Sequence, residues 1–296
     1  MPTTTSLWKQ VESQIAAALG HEVSLSEPAA VGGGCISQSV RARSGRDSFF
    51  IKLNSADMLP MFEAEADGLR ELARSDALCI PAPICVGIAD GQSYLVMEGL
   101  DLGGRGSSMA LGEGLAALHT ISAERFGWHR DNTIGSTPQP NRQHDEWIGF
   151  WREQRLGFQL QLAARKGAPA RTLAAGERLL ENLERLLEGH RPIPSLLHGD
   201  LWSGNYSFTA AGEPAIFDPA VYFGDRETDL AMTELFGGFD RDFYAAYQAA
   251  WPLEPGYALR KKLYNLYHVL NHYNLFGGGY LAQAQSLIDG LLKEVR

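Results

Sequence analysis

Four residues have the types and spacing of a phosphoryl-transfer centre. His198, Asp200 and Asn205 lie in the run H-G-D-L-W-S-G-N, and Asp218 ends the run A-I-F-D. Moving a phosphoryl group onto a hydroxyl needs a carboxylate to accept the hydroxyl proton. It also needs an amide oxygen and a second carboxylate to hold Mg²⁺ against the phosphates. Asp200 is the candidate base; Asn205 and Asp218 are the candidate metal ligands. Their spacing has a mechanical reason: a loop sets Asp200, the chain returns with Asn205 beside it, and a hairpin delivers Asp218. That hairpin is read as a strand over 206–208, a turn at Ala211-Gly212 and a return over 215–217. H-G-D alone also fits a capped turn. Asn205 and a second acid at hairpin distance make the chemical reading specific.

The elements that must position these groups lie upstream. Strand-like runs over 28–31, 38–43 and 49–53 flank Gly32-Gly33-Gly34-Cys35-Ile36-Ser37. Consecutive glycines let backbone N–H groups approach a polyphosphate without a Cβ in the way, so Gly33, Gly34, Cys35, Ile36 and Ser37 are candidate phosphate contacts. Lys52 lies in the apolar strand that follows. A helix over 61–73 carries Leu69 and Leu72 on one face, with Glu65 one turn before Leu69 on that side. A Glu on the buried side, near a strand Lys, can hold that lysine on phosphates. Glu63 points elsewhere on the wheel and is expected to be solvated. Two more strands, over 81–88 and 92–98, lead to Met97-Glu98-Gly99-Leu100, a candidate hinge whose free backbone groups would meet an adenine.

The rest bounds the class. With 296 residues, 45% hydrophobic and 21% charged, the chain has ample length for a buried core. A net charge of −9, with no Lys/Arg run longer than three residues, argues against a nucleic-acid or anionic-membrane partner. No run approaches the ~18 apolar residues that span a bilayer. Three cysteines, Cys35, Cys79 and Cys85, make no disulfide framework, and a cytoplasmic location is expected. Leu7, Val11, Ile15 and Leu19 followed by Gly20 predict an opening helix. Beyond residue 107 the pattern is mainly helical, with helices expected over 145–165 and 171–189 and a Gly/Pro-rich loop over 126–140. His119 is read as packed and hydrogen-bonded.

With these parts in this order, the chain resembles the protein-kinase-like phosphotransferases. More narrowly, it is similar to the fructosamine kinase (ketosamine-3-kinase) family. The residues that carry the narrower likeness are G-G-G-C-I-S-Q-S from Gly32 and M-F-E-A-E-A-D-G-L from Met61, with D-N-T-I-G-S-T-P-Q-P-N from Asp131, H-G-D-L-W-S-G-N, and the long run from Phe217 to Phe239. The resemblance implies an α+β bilobal fold. Residues 1–98 would form an N-lobe with a five-stranded antiparallel sheet and one helix, and residues 99–296 a mostly helical C-lobe. It implies ATP and Mg²⁺ as cofactors and transfer of phosphate to the 3-hydroxyl of a ketosamine, either small or on a glycated protein lysine, with later release of the amine. Gly199 stands where protein kinases have Arg, and Pro219 where they have Phe, so control by activation-loop phosphorylation is not expected.

Acids cluster from Asp218 to Asp229. A ketosamine amine is cationic near neutrality, so Asp225 and Glu227 are candidate substrate contacts. Asp229 is read as a backbone-bonding structural acid, and Trp202 either as a packed ring or as a platform for sugar C–H groups. Kinases of aminoglycosides or choline, and a nucleotide-binding regulator without catalysis, are the competing readings. Cys35, among N–H groups that favour a thiolate, is a candidate redox switch, leaving either a monomer or a disulfide-linked dimer.

Overall fold

The computed structural model describes residues 4–26, 28–32 and 36–295. Helix α1 (Thr4–Leu19) buries Leu7, Val11 and Ile15 in one row and stops at Gly20, whose φ of +77° suits a residue without Cβ. Leu19, the fourth of that row and the last residue of the helix, is exposed.

Alternation then decides which way each strand residue faces. Strands β1 (Ala29–Val31), β2 (Gln38–Ser44) and β3 (Asp47–Ser55) precede helix α2 (Leu59–Leu72). Strands β4 (Pro83–Ala89) and β5 (Gln92–Glu98) complete an antiparallel five-stranded sheet of order β1-β2-β3-β5-β4. On β3, Phe49, Ile51 and Leu53 share a core with Leu7, Val11 and Ile15 of α1. Period two turns Phe50 and Lys52 to the opposite face, where Phe62, Ala66 and Leu69 of α2 pack with Leu95 and Met97. Each such buried aliphatic or aromatic side chain contributes roughly 1.5–3 kcal/mol, so Lys52 is held to the α2 side by its neighbours on both strand faces.

Helix α3 (Ser108–His119), capped by Ser107 Oγ, starts the helical half. A hairpin of β6 (Asn132–Ile134) and β7 (Thr137–Gln139) occupies the segment expected as a loop. The helix expected over 145–165 is present as α4 (Trp147–Phe150), a π-helical stretch Trp151–Leu156 and α5 (Gly157–Arg165). Arg155 lies in the π-helical stretch, fully buried, its guanidinium 3.9 Å from the Tyr222 ring centre and 4.6 Å from that of Phe150. The next expected helix is divided at Asn182 into α6 (Ala170–Glu181) and α7 (Leu183–Leu186). Strand β8 (Ser195–Leu197) pairs with β11 (Tyr222–Gly224), and between them β9 (Tyr206–Phe208) pairs with β10 (Pro214–Ile216). Helices α8 (Glu227–Leu235), α9 (Arg241–Ala250), α10 (Tyr257–Phe276) and α11 (Tyr280–Glu294) complete the half around one large core. No helix among the described residues is long and apolar enough to cross a membrane.

Candidate active site

The segment between β8 and β9 is held from below by buried groups. Asp229, on α8, accepts from His198 N (2.7 Å) through Oδ2 and from Gly199 N (2.8 Å) through Oδ1. Burial alone would raise the Asp229 pKa, but His119, 3.2 Å away, and these N–H groups hold it below the usual range. His119 is in turn anchored to Tyr247 Oη at 2.7 Å, so it is the packed histidine expected. Asp229 therefore has the backbone-bonding placement read from the sequence.

His198 ties the two halves of the site together. Its Nε2 donates to Phe217 O at 2.9 Å, and its Nδ1 accepts from Asp200 N at 3.3 Å. One donating and one accepting nitrogen require a neutral ring, and burial pushes the His198 pKa down in agreement. Gly199 has φ +83°, and a Cβ there would lie 2.0 Å from Ala220 O, so the turn admits glycine alone.

The three principal acids and amides meet above this support. Asn205 Nδ2 donates to Asp200 O (2.9 Å) and Asp218 O (3.4 Å), which leaves Oδ1 without a donor among the described residues. Asp218 adopts φ +57°, a left-handed conformation that Asp tolerates better than most residues, and its Oδ1 accepts from Lys52 Nζ at 2.7 Å. Lys52 also donates to Glu65 Oε1 at 2.5 Å. Burial would lower the Lys52 pKa, but Asp218 and Glu65 outweigh it and keep the ammonium fully charged. Burial raises the Glu65 pKa against the pull of Lys52. Asp200 is pushed up to about 7, first by burial and then by the charges of Asp218 and Asp229. A carboxyl in that range, with no cationic partner among the described residues, suits a base working near neutrality. Asn205 Oδ1 and the half-exposed Asp218 carboxylate are hard oxygen donors, the kind that Mg²⁺ takes.

Other sequence-selected residues fall in different places. Gly33, Gly34 and Cys35, with the redox reading of Cys35, lie outside the described residues. Ile36 O and Ser37 Oγ are held by Asn54 Nδ2 at 3.1 and 3.2 Å. Asn54 was not singled out from the sequence, though its two-residue offset from Lys52 puts it on the same strand face. Trp202 stands at the rim, 39% exposed, with its ring over Gly204. The hinge expectation needs correction in part. Glu98 N donates to Ala82 O and Gly99 N to Ser48 O, both at 2.8 Å, while Leu100 O accepts from Arg41. Leu100 N has no partner among the described residues, and Met97 is buried in the α2-side core.

Asp225 and Glu227 require a full correction as substrate contacts. Both are 1% exposed. Asp225 takes His190 Nε2 (2.6 Å), Tyr264 Oη (2.5 Å) and Glu227 N (3.0 Å), and Glu227 takes Arg260 Nε and Nη2 at 2.6 and 2.7 Å. His190, Asp225 and Glu227 approach closely enough to suggest a cation site. However, His190 also faces Glu254 at 2.9 Å, so both ring nitrogens are taken by carboxylates, and Glu227 is already paired with Arg260. These acids anchor α8 and α10. Arg260→Met, which strands Glu227 in the interior, should cost about 3–5 kcal/mol in urea unfolding. Mg-ADP affinity of the folded protein should stay unchanged; wild-type stability, or lost nucleotide affinity, would contradict this placement.

Comparison with known proteins identifies relatives that span most of the chain. The fructosamine kinase family model matches residues 7–294. A probable ketoamine kinase of Synechocystis sp. is 48% identical over 97% of each chain. The chloroplastic protein-ribulosamine 3-kinase of Oryza sativa subsp. japonica is 42% identical, covering 94% of this chain and 82% of its own. The crystal structure of a candidate fructosamine-3-kinase of Haemophilus somnus superposes with a TM-score of 0.89 at 31% identity, over 97% of this chain and 98% of that one.

Proposed function

The chain belongs to the fructosamine kinase family, and we propose that it transfers the γ-phosphate of ATP to the 3-hydroxyl of ketosamines, small or carried on protein lysines. The observation that carries this reading is the convergence of Asp200, with its pKa near 7, on a Lys52–Glu65–Asp218 ion network.

Each residue then has one task. Asp200 accepts the proton of the attacking hydroxyl. Lys52, kept charged and oriented by Glu65, binds the α- and β-phosphates. Asn205 and Asp218 would hold Mg²⁺, whose charge would offset that of the phosphates. Ile36 and Ser37 would cover the phosphates, and Leu100 N would meet the adenine edge. Trp202 offers its exposed face to sugar C–H groups. With Asp225 and Glu227 withdrawn, Asp200 and Asp218 are the carboxylates left to favour a cationic acceptor. The division into lobes at 98/99 puts the sheet and α2 on one side of the nucleotide and the catalytic segment on the other. Cys79 and Cys85 are free thiols, and burial pushes the Cys85 pKa up to about 11.

An acceptor panel tests the reading. ADP release in Mg-ATP should appear with lysine-linked ribulosamines, erythrulosamines or fructosamines, on free lysine or on protein, and not with aminoglycosides or choline. Turnover confined to the second group would overturn the acceptor assignment.

A further inference from the structure

Residues 130–141 make polar contacts that phosphate, metal and base chemistry leave unused. Arg130 Nη1 donates to Asp67 Oδ2 at 2.5 Å, and its Nη2 lies 3.8 Å from Glu63 Oε2. Both acids are on α2, the helix whose Glu65 holds Lys52. Glu63, expected to face only water, therefore has a cation beside it.

The backbone that carries Arg130 is itself fixed. Asn141 Nδ2 donates to Arg130 O (3.1 Å) and Asn132 Oδ1 (2.8 Å), and Asp131 Oδ1 accepts from Asn141 N at 2.7 Å. Asn141 Oδ1 accepts from Arg155 Nη2 at 2.7 Å, and Arg155 Nη1 donates to Pro140 O, also at 2.7 Å. Arg155 has no carboxylate partner among the described residues. Its buried charge is used to hold this loop and to lie over aromatic rings.

The hairpin's other side grips the chain just beyond Asp218. Asn132 Nδ2 donates to Val221 O at 2.8 Å, and Gln139 Nε2 to Ala220 O at 3.0 Å. Helix α2 meets the same segment directly: a Cβ on Gly68 would lie 3.2 Å from Val221 Cγ2. At the hairpin tip, a Cβ on Gly135 would lie 3.1 Å from Ile36 Cδ1 and 3.2 Å from Leu275 Cδ1, so the tip sits between the phosphate-loop end and α10.

We propose that the β6–β7 hairpin is a fixed strap that registers α2 against the Asp218 segment, with Arg130 as a positioning residue that keeps Glu65 on Lys52. The role assigned to the Lys52–Glu65 pair rests on the phosphotransferase reading above. The Arg130–Asp67 pair is partly exposed, with side chains 29% and 33% accessible, and pairs of that kind add little to global stability. Its effect should therefore appear at the nucleotide rather than in the melting curve.

Arg130→Met in the full chain should weaken Mg-ADP binding about 3- to 10-fold by calorimetry and raise KM for ATP in parallel. The acceptor KM should move less than about 2-fold, and Arg130→Lys should recover most of the loss. Asp67→Asn should behave like Arg130→Met, and the two together should do no more than either alone. On a Glu65→Gln background, Arg130→Met should have little further effect, because the pair it positions is already broken. Unchanged Mg-ADP affinity in both single variants would overturn the proposal. So would a full additional loss on the Glu65→Gln background, or a lowered melting temperature with wild-type affinity in the folded fraction. If no ketosamine is phosphorylated while the nucleotide pattern holds, the strap stands and the acceptor assignment falls.

Discussion

Asp200→Asn is expected to lower kcat by about 10²-fold or more, while KM for Mg-ATP stays within about 2-fold of wild type. The substitution keeps the shape and the backbone bonds to His198 and Asn205 but removes the proton acceptor. The pH profile should change with it. A base must be ionised, so wild-type kcat/KM for the acceptor should rise with pH through an acid limb. Burial and the neighbouring acids push that limb up to about 7, and Mg²⁺ bound by Asp218 would offset part of their charge and lower it. The residual activity of the variant should lack the limb. Stability should move the opposite way. Asp200's folded pKa is raised above the unfolded value of about 3.9, so its ionisation opposes folding progressively as pH climbs from about 4 to about 7, and fully above that. Free of metal and nucleotide, Asp200→Asn should therefore melt several degrees higher than wild type at pH 8 and equally at pH 4. Near-normal turnover in the variant would remove Asp200 as the base.

Asp218→Asn should have an effect of similar size by another route. It removes the charged member of the proposed metal-ligand pair and also the carboxylate 2.7 Å from Lys52. The half-saturating Mg²⁺ concentration should rise about 10-fold or more, with kcat down roughly 10²-fold even at saturating metal. Asn205→Ala should shift the Mg²⁺ requirement less, since an uncharged ligand is lost, but it also releases the Asp200 carbonyl and so should lower kcat. Activity in both variants that follows Mg²⁺ as the wild type does would show that other groups hold the metal.

The placement of these groups was legible where a short period decides it. Lys52 sits between Ile51 and Leu53, so burial of those two on α1 sends the lysine to the other face. Glu65, three residues after Phe62 and four before Leu69, shares their buried stripe. The β9–β10 hairpin was readable from its glycine turn and flanking apolar runs. Asp225 and Glu227 were not, because a cluster of acids in sequence does not say which way a helix start faces. Glu227's partner Arg260 is 33 residues on, and Asp225's partner His190 precedes it by 35. The π-helical stretch was hidden for a related reason: its apolar pattern continues that of the flanking helices, and only the tertiary surroundings of Arg155 distinguish it. At Met97 to Leu100 the strand edge was visible, but the consumption of two N–H groups by Ala82 O and Ser48 O depends on strand neighbours that no local pattern reveals.

The central claim concerns one oxygen atom, and the product can be asked for it directly. A lysine-linked ribulosamine incubated with the enzyme and Mg-ATP should give a product whose phosphorus correlates with H3 of the sugar by ³¹P–¹H NMR, followed by loss of the adduct and recovery of free lysine. Phosphorus correlated to another sugar position, or ATP consumed with the ketosamine left intact, would contradict the assignment of this chain as a ketosamine 3-kinase.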